Sequence, residues 1–340
     1  MKFDIVEQFH AASAAFGPSG RESGVIACLD EMIERFVPNA SAWERTVDTM
    51  NNLCYHKAGS GKCVLLDAHM DSIGIVVTHI DDKGFARFAC VGGLIVEDLI
   101  DRAVRSANGT RGVISFEEKV PAKERGMEQL FLDIGASSRE EAEKYIAVGD
   151  FAVYCGEVFA QGNVLAGPYL DNRIGCLTLI AAMCKLEQTS CDVTVVFTAQ
   201  EEVGLRGAQT AAFAAQPDIA IVVDVTDTGD LPGCKHPMAV KLGAGPAVKV
   251  MDRSVICDEK VRDALYQAAD RLGMTVQHEI MEFGGTDTGV IQRSRGGVRV
   301  GAVSIPCRYV HSAQEMAAVS DIEQAAQLIA AAVSVELNEI

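Results

Sequence analysis

The sequence predicts an α/β fold: a mixed sheet flanked by helices, with a small β-rich domain inserted into it. Three observations carry this. Short continuous apolar runs, CVLLDA at 63–68, CDVTVVF at 191–197 and IAIVVDV at 219–225, have strand length and suit strands buried on both faces. Stretches with helical spacing alternate with them, which places helices on both faces of a parallel or mixed sheet. From residue 72 to about 160 the pattern changes to short strands and tight turns.

The elements follow in order. Residues 3–16 have apolar residues at helical spacing, and GPSG at 17–20 ends that helix. Residues 21–36 read as a second helix with Val25, Ile26, Leu29, Met32 and Ile33 on one face. Residues 43–55 read as strand and turn around Asn51-Asn52. The 63–68 strand runs directly into His69-Met70-Asp71. The β-rich stretch holds IGIVVTHI, GFARFACVGG, AVRSANGTRGVISF, QLFLDIG and DFAVYCGEV, with turns at Asp82-Lys83-Gly84 and Asn108-Gly109. Within it Ser137 or Ser138 caps a short helix, and Glu140 or Glu141 closes the capping box.

From Leu165 the α/β pattern returns. PYLDNRIG at 168–175 precedes a helix at 176–186, then come the 191–197 strand and TAQEEVGLRGA. A helix at 207–215, the 219–225 strand, an amphipathic helix at 258–272 and a strand at 275–280 follow. FGGTDTG at 283–289 is a glycine-rich turn towards another helix, 297–305 is a strand, and 320–337 is a last helix.

A chain of 340 residues has room for two domains and a substantial core. A hydrophobic content of 49% marks it as globular. The formal net charge of −17 argues against a nucleic-acid partner, since nothing would neutralise phosphates. No apolar run approaches membrane-span length, and the opening MKFDIVEQFH has no secretory h-region. The eleven cysteines form no C-x-x-C pair and sit in apolar contexts such as VIACLD and IGCLTL. Buried, reduced thiols in a cytoplasmic protein are therefore expected.

The chemistry lies where strands end. Glu201 and Glu202 are adjacent, and two carboxylates there repel unless a cation lies between them or they do different work. A metal would permit both, one glutamate as ligand and the other as general base on an activated water. Alone, such a pair is more often a solvated loop. His69-x-Asp71 puts both side chains on one side of the chain, so Asp71 can orient His69 or share its metal. A lone histidine there is more often a satisfied core residue. Asp171, Asp224 and His311 also follow or end strands. In an open α/β sheet such ends converge on one crevice. Two histidines and three carboxylates suit a pair of divalent first-row metals, each with one histidine and one private carboxylate, and a third carboxylate shared.

DAHMDSIG, PYLDNRIG, TAQEEVGLRGA, VVDVT, GGTDTG and RYVHSAQE, in that order, resemble the metallo-aminopeptidases of the M42 family. GPSG and GASSREEAE match as well. Members form tetrahedral assemblies and are sometimes labelled endoglucanase. The resemblance implies that His69 and Asp224 bind one metal, Glu202 and His311 the other, and Asp171 both. It implies Glu201 as catalytic base and Asp71 as the residue that holds the tautomer of His69. The metals would be Zn, Co or Mn, and the substrates peptides whose free α-amino group ligates one metal. Asn172 departs from the family, which often has aspartate there, in a peptide that is cis in relatives.

His69 and Asp171 are 102 positions apart (171 minus 69), so the chain between them must leave the catalytic domain and return. The expected division is 1–71 and 161–340 for the catalytic domain and 72–160 for the insertion. In relatives the insertion is the dimerisation domain, and dimers build a dodecamer. In the related M20 family the extra domain follows the glutamate pair instead. The apolar stretches 91–96 and 151–155 favour self-association of the insertion. Two other readings compete with the aminopeptidase. A glycosidase needs two carboxyls but not His69 and His311. A non-catalytic metal-binding scaffold would have no use for Glu201.

Overall fold

The computed structural model describes residues 3–186, 189–234 and 238–340. Helices α1 (Ile5–Ala14) and α2 (Ser23–Phe36) open the chain. Asp4 caps α1 by accepting the Glu7 N–H at 3.0 Å. On α2, Val25, Leu29, Met32 and Ile33 are buried and Ile26 is half-buried. Strands β1 (Glu44–Val47), β2 (Leu53–Lys57) and β3 (Cys63–His69) follow.

The chain then builds a closed antiparallel barrel. Its strands are β4 (Gly74–Ile80), β5 (Ala86–Val91), β6 (Ala103–Ser106), β7 (Arg111–Phe116), β8 (Leu130–Asp133) and β9 (Phe151–Tyr154). They close in the order β4-β5-β8-β7-β6-β9, which leaves no free strand edge. Two single-turn helices, α3 (Val96–Leu99) and α4 (Arg139–Ala142), interrupt them. Ser138 caps α4 by accepting the Glu141 N–H, while the Glu141 carboxylate accepts from Ser137 N–H and Oγ. The barrel has its own core, including Ile75, Val77, Leu99, Ile114 and Leu132.

The remaining elements are β10 (Phe159–Gln161), β11 (Val164–Gly167), α5 (Leu170–Met183), β12 (Asp192–Thr198), α6 (Arg206–Ala215) and β13 (Ile219–Thr226). After them come β14 (Ala247–Met251), α7 (Glu259–Leu272), β15 (Gln277–Ile280), α8 (Thr288–Gln292), β16 (Arg299–Arg308), β17 (Glu315–Ala318) and α9 (Val319–Ser334). The large sheet has the order β1-β2-β12-β3-β13-β16-β17-β11-β10, with β14 joined to β16 and β15 to β14.

Its centre, β12-β3-β13-β16, is parallel throughout. Alternate residues of β3 enter different cores: Val64 and Leu66 pack towards α1, α5 and α9, and Leu65 towards α6 and α8. Burial on both faces explains why the run is continuously apolar. Truncating Leu66 to alanine would cost about 2–5 kcal/mol. β12 and β13 flank β3 although both come later in the chain, so the order reverses at β3 and a crevice forms at its carboxyl end.

Four expectations need correction. The helix at 176–186 is α5, which begins at Leu170 and ends at Met183, with Asp171 and Asn172 in non-helical conformations inside it. Its regular part starts after Asn172, whose Oδ1 accepts the Gly175 N–H at 3.1 Å as a cap does. Strands β11 and β17 went unassigned because VLAG and EMAA hold small residues with little β-propensity. All eleven cysteines are free, yet only Cys176, Cys191, Cys257 and Cys307 are buried, and Cys234 is exposed. The apolar stretches of the insertion face mostly inward: Val91, Leu94, Val153 and Tyr154 are buried, leaving Ile95 exposed. Among the described residues no helix is long and apolar enough to cross a membrane.

Candidate metal centre and active site

The parallel strands deliver their polar residues to one edge. His69 ends β3 in register with Thr198, the last residue of β12, and Asp224 lies near the end of β13. After β12 the chain turns sharply, with Gln200 at φ 58° and the Gly204 and Leu205 N–H groups both donating to the Glu201 carbonyl. That turn presents Glu201 and Glu202. Gly207 closes it: a Cβ there would lie 2.2 Å from Asn52 Oδ1 and 2.4 Å from the Ala199 carbonyl. His311 follows β16 in a left-handed conformation, φ 66°, that few non-glycine residues adopt.

These side chains meet. His69 Nε2 is 3.0 Å from Asp171 Oδ1, 3.6 Å from Asp224 Oδ1 and 3.9 Å from Glu201 Oε2. His311 Nε2 is 3.3 Å from Asp171 Oδ2 and 3.3 Å from Glu202 Oε2. Ligating atoms of His69, Asp171 and Asp224 lie within 4.8 Å of one another, as do those of Asp171, Glu202 and His311. Asp171 belongs to both sets, one carboxylate oxygen towards each histidine. Nitrogen and carboxylate donors in one buried and one half-buried triad fit divalent cations.

Electrostatics point the same way. Burial alone would lower the His311 pKa, but hydrogen bonds to Asp171 and Glu202 push it up to about 12. Burial raises the Glu201 carboxyl well above the ordinary range, and the charges of Asp287, Asp224 and Glu202 add to this against the pull of His69. Burial likewise raises Glu202. In each triad the histidine is the group that can carry a positive charge, and a bound cation would take the place of its proton.

Asp71 is fully buried and holds more than His69. Its Oδ1 accepts the Glu201 N–H at 3.0 Å and lies 3.6 Å from His69 Nδ1. Its Oδ2 accepts from Ser19 Oγ at 2.6 Å and from the Glu202 N–H at 3.3 Å. Burial would raise its pKa, but His69, Ser19 and the Glu201 amide hold it below the ordinary carboxylate value. Asn172 faces away from the donors, its Nδ2 donating one hydrogen bond to the Val223 carbonyl at 2.7 Å. The Asp171–Asn172 peptide is cis.

Sequence reasoning missed three contributors. Glu315 accepts the Asp171 N–H at 2.9 Å and the His311 N–H at 2.8 Å, tying two donor residues together through their backbones. The Gly93 carbonyl, from the turn after β5, lies 2.9 Å from His311 Nδ1. Asp287 accepts from Thr198 Oγ1 at 2.7 Å, and burial pushes its pKa up to about 7. Glu315 and Asp287 stood within RYVHSAQE and GGTDTG, so a carboxylate inside each motif was the available signal. The donor cluster lines a cavity of about 550 Å³.

Comparison with known proteins agrees with this geometry. The chain is 46% identical over 332 residues to a putative aminopeptidase of Acetivibrio thermocellus, covering 97% of this chain and 98% of that one. It superposes on an aminopeptidase from the archaeon Desulfurococcus kamchatkensis with a TM-score of 0.91 at 34% identity, covering 97% and 94% of the two chains. It superposes on the Pyrococcus horikoshii TET1 peptidase, which can assemble into a tetrahedron or a large octahedral shell, with a TM-score of 0.85 at 30% identity over 98% and 100%. The profile of the family described as M42 glutamyl aminopeptidase matches residues 51–328, and the chain belongs to that family.

Proposed function

We propose that this aminopeptidase uses two divalent ions, Zn, Co or Mn, to remove N-terminal residues from peptides. The observation that carries the reading is Asp171, whose two oxygens face His69 and His311 separately. His69 and Asp224 would hold one ion, Glu202 and His311 the other, and Asp171 both. When bound, the ions supply Lewis acidity at the substrate carbonyl and acidify water.

Glu201 supplies the proton traffic. Glu201 belongs to neither triad yet lies 3.9 Å from His69, so its carboxylate is placed to take a proton from water and return it to the leaving amine. Asp71 positions His69 and, through the Glu201 and Glu202 amides, the glutamate turn. A free α-amino group in its neutral form would ligate one ion, which would confine cleavage to the first peptide bond.

The barrel is the unit through which copies of the chain associate, as dimers that build a dodecamer. Free cysteines throughout fit a reducing, cytoplasmic setting. The test is a panel of amino-acid anilides assayed beside carboxymethylcellulose, with chelator and with metal added back. Chelator-sensitive, metal-restored anilide cleavage is expected. Cleavage of cellulose alone, or anilide turnover indifferent to chelator, overturns the reading.

A further inference from the structure

The family description names glutamate as the residue removed. The cavity of this chain has the wrong chemistry for it. Beyond the donor cluster, its lining side chains are mainly apolar: Leu205, Val225, Met281, Phe283 and Val310. Asp227 is the one further charged residue among the described lining residues, and it is acidic. No lysine or arginine lines the cavity among them. Two cations of the surrounding elements are committed elsewhere. Arg308, three residues before His311, forms a two-pronged pair with Asp230 at 2.7 and 3.2 Å. Lys249 is fully buried between Asp252 at 2.8 Å and Glu279 at 3.2 Å.

The apolar wall is a built feature. Met281 is buried, and a Cβ on Gly284 would lie 3.0 Å from its Cε, so the thioether tip supports the glycine turn. Gly284 sits at φ 68°, which favours glycine and leaves that stretch without a side chain of its own.

We propose that this cavity receives a neutral, apolar N-terminal side chain of leucine or methionine size and rejects an acidic one. The inference rests on the aminopeptidase reading above and specifies its substrate class. Two dications would offset the four carboxylates of Asp171, Glu201, Glu202 and Asp224, so the cavity offers a glutamate side chain no surplus of positive charge. A glutamate side chain entering it loses water and finds no lysine or arginine among the described lining residues. A leucine side chain loses only unfavourable contact with water. Rejection of a group that cannot be paired in a dry pocket reaches the order of 100-fold or more.

The experiment compares kcat/KM for leucine, methionine and glutamate anilides on the metal-loaded enzyme. Leucine or methionine is expected to exceed glutamate by on the order of 100-fold. Free leucine is expected to inhibit competitively at lower concentration than free glutamate, a binding readout that needs no turnover difference. Phe283→Lys, on a partly exposed turn, is expected to raise the glutamate-to-leucine ratio by about tenfold or more. Glutamate turned over as fast as leucine overturns the inference and leaves the aminopeptidase reading standing. An unchanged ratio in Phe283→Lys also overturns it. No cleavage of any anilide, with inhibition by neither amino acid, sinks the aminopeptidase reading itself and this inference with it.

Discussion

His311 Nδ1 lies 2.9 Å from the carbonyl oxygen of Gly93, a contact that joins the barrel to the donor cluster. A ring whose Nδ1–H donates there must present Nε2 to Asp171 and Glu202, so the barrel sets the tautomer of a proposed metal ligand. The approach is close: a Cβ on Gly93 would lie 2.9 Å from His311 Nδ1 and 3.1 Å from Cε1. Gly93→Ala should therefore displace the ring, lower kcat/KM by about 10–100-fold and weaken binding of one ion. Gly296→Ala, where nothing lies within 4 Å, serves as the control and should leave both unchanged. Metal titration and kinetics on the two variants decide this. Wild-type behaviour of Gly93→Ala removes the barrel from the site.

Asp71→Asn should fold and lose about 10–100-fold in activity or metal affinity. The carboxylate accepts from Ser19, Glu201 and Glu202, and an amide must turn a donor towards one of them. Ser19→Ala removes one of those bonds and should show a smaller loss in the same direction. Wild-type rates at limiting metal in Asp71→Asn are the result that rejects this role.

Glu201→Gln should bind both ions and lose nearly all turnover, because it removes the proton carrier and leaves the two triads intact. Metal analysis beside a single-turnover assay checks it. One ion lost, or activity retained, means that the roles of Glu201 and Glu202 are exchanged or mistaken.

Much of this was legible before any coordinates. Continuous apolar runs marked β3, β12 and β13, because a strand buried on both faces has no polar side to show. His69 and the glutamate pair stood out as polar residues ending such runs. What could not be read is what pairing and register decide. Gly93 contributes a carbonyl, which every residue has, and it reaches His311 from 218 positions away. Glu315 acts on the amide of Asp171, 144 positions away, so no local spacing betrays it. The helical conformation of Leu170 was hidden because Asp171 and Asn172 interrupt the helix one residue later.

Metal affinity should rise with pH. In the ion-free protein His311, pushed up to about 12, carries its proton throughout the neutral range, and His69 is raised as well. Imidazole ligates only when neutral, so each ion displaces a proton. The apparent affinity should climb by up to about tenfold per pH unit for each proton released, with no plateau near neutrality. Calorimetry in buffers of different ionisation enthalpy counts those protons. Binding that releases none, with affinity flat from about pH 6 to pH 8, contradicts the pairing of His311 with Asp171 and Glu202.

Assembly is the remaining expectation, and the barrel surface specifies it. Ile95, Val113, Tyr145 and Val148, all on barrel segments, are 55%, 45%, 52% and 63% exposed. Large apolar side chains left in water on a unit whose core is already filled mark a surface that another copy can cover. Closed symmetry lets identical patches meet pairwise across two-fold axes, which gives a dimer first. A shell of six such dimers would admit peptides through its openings and exclude folded proteins. Sedimentation of the metal-loaded protein should show a species of twelve chains, and Val148→Glu with Ile95→Glu should shift it towards smaller species. Peptide turnover per site should survive that shift wherever the Gly93–His311 contact survives. A single species at monomer mass, fully active on short peptides, would falsify the assembly and leave the metal centre as argued.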